Sequence, residues 1–342
     1  MAQINKPTEY FNTKLYTGDG GTQSVTGMNF QPDFSWLKCR STAYNHRLFD
    51  AVRGAGKNLQ SNLTVEEATI DEGVVAFETD GFSVKEGVNI AYNRSGETYC
   101  SWNWLASNTT ASNTDGSITS TVSANTTSGF SIVSYTGTGS AGTVGHGLGV
   151  TPACMILKDR TDGTVYWYMY HKSLGNNTEL YLNTTDSAPA STGAWNTTSP
   201  TSSVFSVGSH GGVNASGDSM IAYCFAEKKG FSKFGSYTGN GSTDGTFIYT
   251  GFKPAFFITK ASAGDTTNWN IYDNKRSTYN AVTKILETNT SNAEQTYSTI
   301  DFLSNGVKFR GSQYNSSGVT YITMAFAESP LVGTNNTPAT AR

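Results

Sequence analysis

Apolar residues occur along this chain in short clusters, and Gly, Asn, Asp and Ser separate the clusters at intervals of about 8–12 residues. This spacing is typical of short antiparallel strands joined by tight turns. Helical periodicity is hard to find, and its best example, residues 65–70, is too short to anchor a helical domain. The pattern therefore predicts an all-β protein.

Comparison of the chain with itself reveals the same landmarks three times. The motif Tyr-Thr-Gly begins at Tyr16, Tyr135 and Tyr237, and each copy is followed by a proline. Each proline opens an apolar run that ends at a lysine. Proline suits the first position of a strand because its missing N–H costs no ladder hydrogen bond there. The three runs are Asp33–Lys38, Ala153–Lys158 and Ala255–Lys260.

A second set of landmarks follows at matching distances. Turns that begin at Asn93, Asn214 and Asn315 each lead into an apolar strand. Together the landmarks predict three tandem jelly-roll-like antiparallel β-sandwich repeats of about 100 residues each. We place them at residues 1–106, 130–227 and 228–328. A Ser/Thr/Asn-rich stretch at 107–129 is predicted to be a flexible linker or an extended surface strap, and 329–342 a C-terminal tail.

Charge and composition exclude several classes of protein. The 342 residues carry 23 basic and 26 acidic side chains, whereas a nucleic-acid-binding protein normally shows a basic face. No run of 18 apolar residues is present, and the N-terminal stretch lacks the apolar core of a signal peptide. Aromatic residues make up 12% of the chain, which argues for a packed core and against disorder. We expect neither a nucleic-acid nor a membrane partner.

The residue types that usually carry chemistry form no recognisable catalytic or metal-binding motif. The four cysteines show no Cys-x-x-Cys spacing, and we predict them to be reduced and structural. His146 and His210 lie in glycine-rich sequences and are predicted to be surface turn residues. An aspartate followed three residues later by an arginine recurs at Asp50 and Asp273, which favours a structural ion pair over a catalytic carboxylate. We predict no catalytic residue, cofactor or metal.

One aromatic run is a candidate contact surface. Residues 166–170 read Tyr-Trp-Tyr-Met-Tyr, and alternate residues of a strand face opposite sides. Some of these rings could therefore be exposed and stack on a sugar or on a protein partner. The alternative is a strand buried on both faces at a domain contact. The candidate contact residues are Tyr166, Trp167, Tyr168 and Tyr170.

Several stretches resemble the repeat-bearing virion structural proteins of marine tailed bacteriophages. They are Phe130–Gly139 with Gly145–Gly149, Tyr223–Glu227 with Gly230–Lys233, and Met324–Glu328. These phage proteins are mostly catalogued as a domain of unknown function, and some are labelled tail fibre or concanavalin-like. The resemblance spans essentially the whole chain, but it offers no catalytic pattern that could be carried over to this sequence.

The resemblance implies a non-enzymatic structural protein on the outside of a phage virion. A tail fibre or spike component for host adhesion is the favoured role, and a capsid decoration protein or head fibre bound to the shell is the alternative. The implied partners are other tail or capsid proteins, further copies of the chain (commonly three in such structures) and a host surface glycan. A third role, glycan depolymerase, would require a pair of carboxylates in a cleft.

Overall fold

The computed structural model describes residues 3–88, 92–333 and 338–340. Its regular structure is almost entirely strand, arranged in antiparallel sheets, which confirms the all-β sandwich prediction. A turn of 3-10 helix (Pro7–Glu9) precedes the first strand, and a turn of α-helix, α1 (Gly211–Asn214), lies in the middle of the chain. No helix among the described residues is long and apolar enough to cross a membrane.

We call residues 3–106, 107–227 and 228–333 the first, second and third segments. The first segment contains β1 (Phe11–Thr17), β2 (Thr22–Thr26), β3 (Phe34–Cys39), β4 (Arg47–Asp50), β5 (Lys57–Asn58), β6 (Ala68–Thr69), β7 (Gly73–Glu78), β8 (Gly81–Lys85) and β9 (Thr98–Trp104). The second contains β10 (Ala111–Asn113), β11 (Ser120–Asn125), β12 (Phe130–Thr136), β13 (Gly142–Gly145), β14 (Cys154–Asp159), β15 (Tyr168–His171), β16 (Leu180–Tyr181), β17 (Val204–Val207) and β18 (Ser219–Phe225). The third contains β19 (Ser232–Thr238), β20 (Phe247–Tyr249), β21 (Phe252–Ala263), β22 (Asn270–Asp273), β23 (Val282–Glu287), β24 (Gln295–Leu303), β25 (Gly306–Phe309) and β26 (Thr320–Pro330).

One arrangement of four strands occurs in every segment. The strand order is β1-β9-β3-β4 in the first segment, β12-β18-β14-β15 in the second and β19-β26-β21-β22 in the third. Strands at matching sequence landmarks take matching places in these sheets. The division of the chain into three repeats with the boundaries given above stays a prediction, and this correspondence supports it.

Each four-strand sheet is covered on one face by further strands of its own segment. These are the sheet β2-β8-β7 in the first segment and the pair β13-β17 in the second. In the third segment β23, β24, β25 and β20 continue the sheet beyond β22. A separate apolar core fills each sandwich; its members include Phe49 and Phe82 in the first, Val133 and Phe205 in the second, and Phe257 and Phe309 in the third.

The opposite faces of the three four-strand sheets meet in one shared core. The ring of Trp104 lies 5.3 Å from Phe34 in its own segment, 6.1 Å from Phe225 in the second and 5.5 Å from Phe326 in the third. Both faces of each sheet are therefore covered. This explains why every residue of β3 and β14 is buried and why their sequences lack the alternation of a half-exposed strand.

The recurring sequence motifs come together in space. The Tyr16 hydroxyl donates to the carbonyl oxygen of Tyr92 at 2.6 Å. The N–H of Gly20 donates to the carbonyl oxygen of Asn93 at 2.8 Å. A Cβ on Gly18 would lie 2.1 Å from the carbonyl oxygen of Arg94, so this position requires glycine. The Tyr-Thr-Gly and Asn turns therefore form one clasp. The same hydroxyl bond recurs from Tyr135 to Val213 and from Tyr237 to Tyr314.

The stretch predicted to be a linker belongs to the second sheet. Strand β11 pairs with β12 along its whole length, and β10 pairs with β11. The flexible form of the prediction is wrong because backbone hydrogen bonds hold this Ser/Thr-rich stretch, while Ile118 and Val122 pack into the second sandwich core. The predicted tail also begins inside β26, which continues to Pro330.

Candidate functional site

The structure buries most of the aromatic run that the sequence suggested as a contact surface. Tyr166 is 44% exposed, whereas Trp167, Tyr168 and Tyr170 are buried. Trp167 and Met169 lie in the shared core, and Tyr168 and Tyr170 lie in the core of the second sandwich. From Trp167 onward the run is therefore buried on both faces, which is the alternative given by the sequence. Among the four predicted contact residues, Tyr166 alone is open to a partner.

Trp167 contributes to a ring of contacts between segments. In each segment the aromatic residue just before β4, β15 or β22 forms a hydrogen bond with a backbone carbonyl oxygen at a matching position in a neighbouring segment. These contacts are Trp167 Nε1 to the Gln60 carbonyl oxygen (2.9 Å), Trp269 Nε1 to that of Tyr181 (3.0 Å) and His46 Nε2 to that of Glu287 (2.8 Å). They run from the second segment to the first, from the third to the second and from the first to the third. The segments thus close into a ring with approximate threefold symmetry.

A set of backbone hydrogen bonds repeats around the same ring. Each bond joins a loop of one segment to a residue of a neighbour that lies at or just beyond the end of β3, β14 or β21. The three bonds are Glu67 N to Arg160 O (2.9 Å), Ala188 N to Ser262 O (2.9 Å) and Glu294 N to Arg40 O (2.8 Å). Because backbone groups make them, these contacts persist although the side chains at the three interfaces differ.

Partly buried ion pairs cross two of the three interfaces, and each extends a fully buried pair within one segment. Arg53 pairs with Asp50 and also contacts Glu67 at 3.0 Å, and Glu67 contacts Arg160 of the second segment at 2.8 Å. Burial alone would raise the pKa of Glu67, but the hydrogen bond from Arg160 and the charge of Arg53 outweigh it and hold that pKa below its ordinary value. The interface between the third and first segments repeats the arrangement with Asp273, Arg276, Glu294 and Arg40.

The same aspartates bond to aromatic side chains across these interfaces. The Tyr223 hydroxyl donates to Asp50 at 2.7 Å, and the Trp102 indole N–H donates to Asp273 at 3.0 Å. Both aspartates are fully buried. Their carboxylates are therefore held by arginine and by an aromatic donor, and they do not face a solvent-filled cleft.

The interface between the second and third segments carries neutral residues instead. His171 occupies the place of the aspartate, and its Nε2 lies 3.2 Å from the Thr323 carbonyl oxygen. Burial lowers the pKa of His171 to about 4, so its imidazole is neutral at pH 7. Leu174, Ala188 and Ser262 stand at the positions of the charged residues. At these matching positions the contact between the second and third segments is thus neutral and the other two contacts are ionic, although Lys233 and Glu227 pair at 3.4 Å elsewhere between the second and third segments.

The remaining histidines and cysteines are structural where the structure describes them. His146 is buried and accepts the Leu148 N–H at 3.2 Å, so its prediction as a surface residue is wrong; its imidazole satisfies the backbone of a buried turn. His210 is exposed, as predicted, and accepts the Gly212 N–H at 3.0 Å at the start of α1. All four cysteines are free and buried. Within the described ranges, no group of three His, Cys, Asp or Glu could hold a metal ion.

A groove of about 510 Å³ lies where β1 faces the third segment, and we call it the β1 groove. Two buried polar atoms that line it, Thr13 Oγ1 and Asn274 Oδ1, have no hydrogen-bond partner among the described residues. Lysine and glutamate side chains contribute to its lining. The residues that define the groove are Phe11, Thr13, Leu15, Ala255, Asn274 and Glu328.

The hydrophobic pattern alone does not predict this groove, although a comparison of the three segments carries a signal for it. Thr13 stands where the second segment has Ile132 and the third has Phe234, and both of those side chains pack into the shared core. A small polar residue in place of a large apolar one leaves space at this position. Thr13 is therefore a position at which the first segment fills less of the shared core than the other two segments do.

A family model described as a domain of unknown function (DUF7483) matches residues 6–330. The match covers nearly all of the three segments, including the stretch of the second segment that forms β10 and β11. No curated protein and no solved structure matches the chain.

Proposed function

We propose that this chain, which belongs to the family described as a domain of unknown function (DUF7483), is a non-enzymatic structural protein on the exterior of a tailed bacteriophage virion. In the particle it serves as a tail fibre or spike component that contacts the host. The resemblance to phage virion proteins suggests this role. The structural observation that carries it is the closed ring of three sandwiches around one aromatic core.

A closed ring suits a module exposed on a particle. Each segment is held by both of its neighbours through the shared core and through backbone hydrogen bonds. Proteases cut chains that open locally, and opening one segment here exposes apolar surface of all three. The low charge of the chain, 14% Asp, Glu, Lys and Arg, leaves hydroxyl and amide groups to form much of its polar surface.

The placement of the acidic residues supports the non-enzymatic proposal. A glycan depolymerase needs two carboxyl groups about 5–10 Å apart in a cleft. Asp50, Glu67 and Asp273 are bound to arginines at interfaces between segments. The buried Asp33, whose pKa burial raises to about 6, accepts the backbone N–H groups of Ala106 and Asn108. In the β1 groove the lining acid is Glu328, which lies 3.6 Å from Lys253.

The ring symmetry also favours the alternative, a capsid decoration protein or head fibre. One chain already arranges three similar sandwiches around an axis, so a single copy matches a threefold position on a shell. A trimer of chains, the form expected from the resemblance, would instead place nine sandwiches around one axis. The mass of the purified protein by light scattering separates the two arrangements.

Localisation on the particle tests the proposal. We suggest gold-labelled antibodies against the purified protein, followed by cryo-microscopy of tailed phage particles in which mass spectrometry detects it. Label on the tail supports the adhesion role, and label on the head lattice replaces it with the decoration role. Absence from every purified particle overturns the virion proposal. Shortened polysaccharide after incubation with the protein overturns the non-enzymatic assignment.

A further inference from the structure

The outer edge of one strand is treated differently in the three segments. Strands β1, β12 and β19 occupy matching places at the start of the three four-strand arrangements. In the second segment β11 pairs along that edge of β12. In the first segment the sheet ends at β1, and the β1 groove runs along this strand. The groove is thus the place that β11 fills in the second segment.

Hydrogen-bonding groups of β1 point into this open side. Tyr10 O accepts from Leu105 N, and Gly18 N donates to Glu97 O, so the even-numbered residues between them bond to β9. In an antiparallel pair the residues between these positions direct their N–H and C=O groups the other way. The peptide groups of Thr13 and Leu15 therefore face the groove, ready to pair with another strand.

The third segment closes the matching edge by a different device. The Glu227 carboxylate accepts the N–H of Phe234 in β19 at 2.9 Å, and Lys172 holds that carboxylate at 2.6 Å. The Phe234 side chain fills the space that Thr13 leaves. Of these three matching edges, one is covered by a strand, one is capped by a carboxylate, and the β1 edge keeps a groove.

We propose that the β1 groove binds an extended segment of a neighbouring polypeptide as an added antiparallel strand. The internal example is β11, in which Ser123 lies opposite Ile132, the counterpart of Thr13. Directly opposed residues of antiparallel strands share one face of the sheet. A hydroxyl-bearing residue of the partner thus lies beside Thr13 Oγ1, and the partner's donors supply Asn274 Oδ1. The proposed ligand is an uncharged Ser/Thr-rich strand.

A peptide of residues 118–127 of this chain is the probe for the test. We expect saturable binding of the fluorescein-labelled peptide to the full-length protein, read by fluorescence anisotropy. A control peptide with Val122→Pro and Ser123→Pro lacks two N–H groups and is expected to bind at least tenfold more weakly. Hydrogen exchange at the amides of Thr13 and Leu15 should slow when the probe binds, while Lys14, already bonded to β9, should change little.

Three variants locate the binding. Leu15→Pro removes an N–H that points away from β9, and Leu15→Ala keeps this N–H while shortening the side chain. Thr13→Ile fills the groove as Ile132 does in the second segment. We expect Leu15→Pro and Thr13→Ile to weaken binding at least tenfold and Leu15→Ala to stay within about threefold of the parent. Thr13→Ile keeps the test decisive even if Leu15→Pro fails to fold.

Several outcomes would overturn the proposal. These are no binding of the probe up to millimolar concentration, equal binding by Thr13→Ile and the parent, and equal binding of the proline-containing peptide. Concentration-dependent dimerisation that Thr13→Ile abolishes would also overturn it, because the occupant would then be a second copy. The test uses the isolated protein and is independent of the proposed virion role.

Discussion

Tyr223 of the second segment donates its hydroxyl hydrogen to Asp50 of the first segment at 2.7 Å, and both side chains are buried. The bond joins two segments at the point where Arg53 also holds the aspartate. Tyr223, which the repeat comparison assigns to the second sandwich, thus stabilises the contact between the second and first segments. The behaviour of this interface can be tested by substitution.

Tyr223→Phe is expected to lower the free energy of unfolding by about 1.5–3 kcal/mol, because it removes a hydrogen bond to a buried charged group. Urea unfolding followed by fluorescence measures the change. Tyr279→Phe is the matched control, since Tyr279 is 78% exposed and should change stability by less than about 0.5 kcal/mol. Similar losses for the two variants would show that the bond contributes little.

Arg53→Leu should be more damaging, since it leaves the buried Asp50 without its cation and removes one of the two arginines that contact Glu67. Breaking a buried ion pair in this way costs about 3–5 kcal/mol. The double change Asp50→His with Arg53→Leu reproduces the His171 and Leu174 arrangement of the second segment. We expect it to recover part of the loss, and a double variant less stable than Arg53→Leu alone would contradict this explanation.

Stability is expected to fall in mild acid because of His171. Burial lowers its pKa to about 4, against an ordinary value near 6.5. The unfolded chain gains a proton as the pH falls through 6.5, whereas the folded chain gains none until about pH 4, so unfolding is favoured across that window. His171→Gln should have a shallower loss of stability between pH 6.5 and pH 4 in urea titrations. An unchanged slope would place the effect on other groups.

The clasp between the Tyr-Thr-Gly and Asn turns predicts a position-specific effect of alanine. A Cβ on Gly18 would meet the Arg94 carbonyl oxygen at 2.1 Å, whereas a Cβ on Gly21 would lie 3.6 Å from its nearest neighbour. Gly18→Ala should lower stability by about 1–3 kcal/mol through overpacking, and Gly21→Ala should be nearly neutral. Thermal unfolding of the two variants measures the difference, and equal melting temperatures would argue against the clasp.

The adhesion role predicts a surface effect at Tyr166. Since Tyr166 is 44% exposed and its ring lies 4.9 Å from that of Tyr181, the two form an aromatic surface on which a sugar can stack. Tyr166→Ala should weaken adhesion of the labelled protein to host cells at least tenfold. Tyr279→Ala, at an exposed tyrosine elsewhere, should not. Equal adhesion by both variants would exclude Tyr166 from the contact.

Much of the local structure is predictable from the sequence. The apolar runs after Pro32 and Pro152 become β3 and β14, and turn motifs that recur in the sequence pair in the fold. The third run is an exception, because β21 begins at Phe252, two residues before Pro254. An edge or a bulge accepts proline, and the register of β21 shifts beside Pro254.

The arrangement of the segments is not predictable in the same way. Repetition indicates that the three sandwiches are similar. It does not indicate what covers the second apolar face of each four-strand sheet, because the residues that cover it belong to other segments, far away in sequence. The sequence leaves Trp167 open as an exposed contact residue or a buried one, and only the placement of Gln60 beside it decides between them. The strands at 111–113 and 120–125 are hard to predict because backbone pairing, of β11 with β12 and of β10 with β11, holds them more than apolar side chains do.

The neutral interface at His171 shows what joining three sandwiches in one chain makes possible. Three identical subunits would have to carry the same residues at all three contacts, and any change would appear three times. Here the same positions are ionic at two contacts and neutral at the third, and one sheet edge is open while its counterparts are filled or capped. A single chain built in this way has the shape of a trimer, but its three sides differ chemically. A partner protein can therefore bind it in one defined orientation.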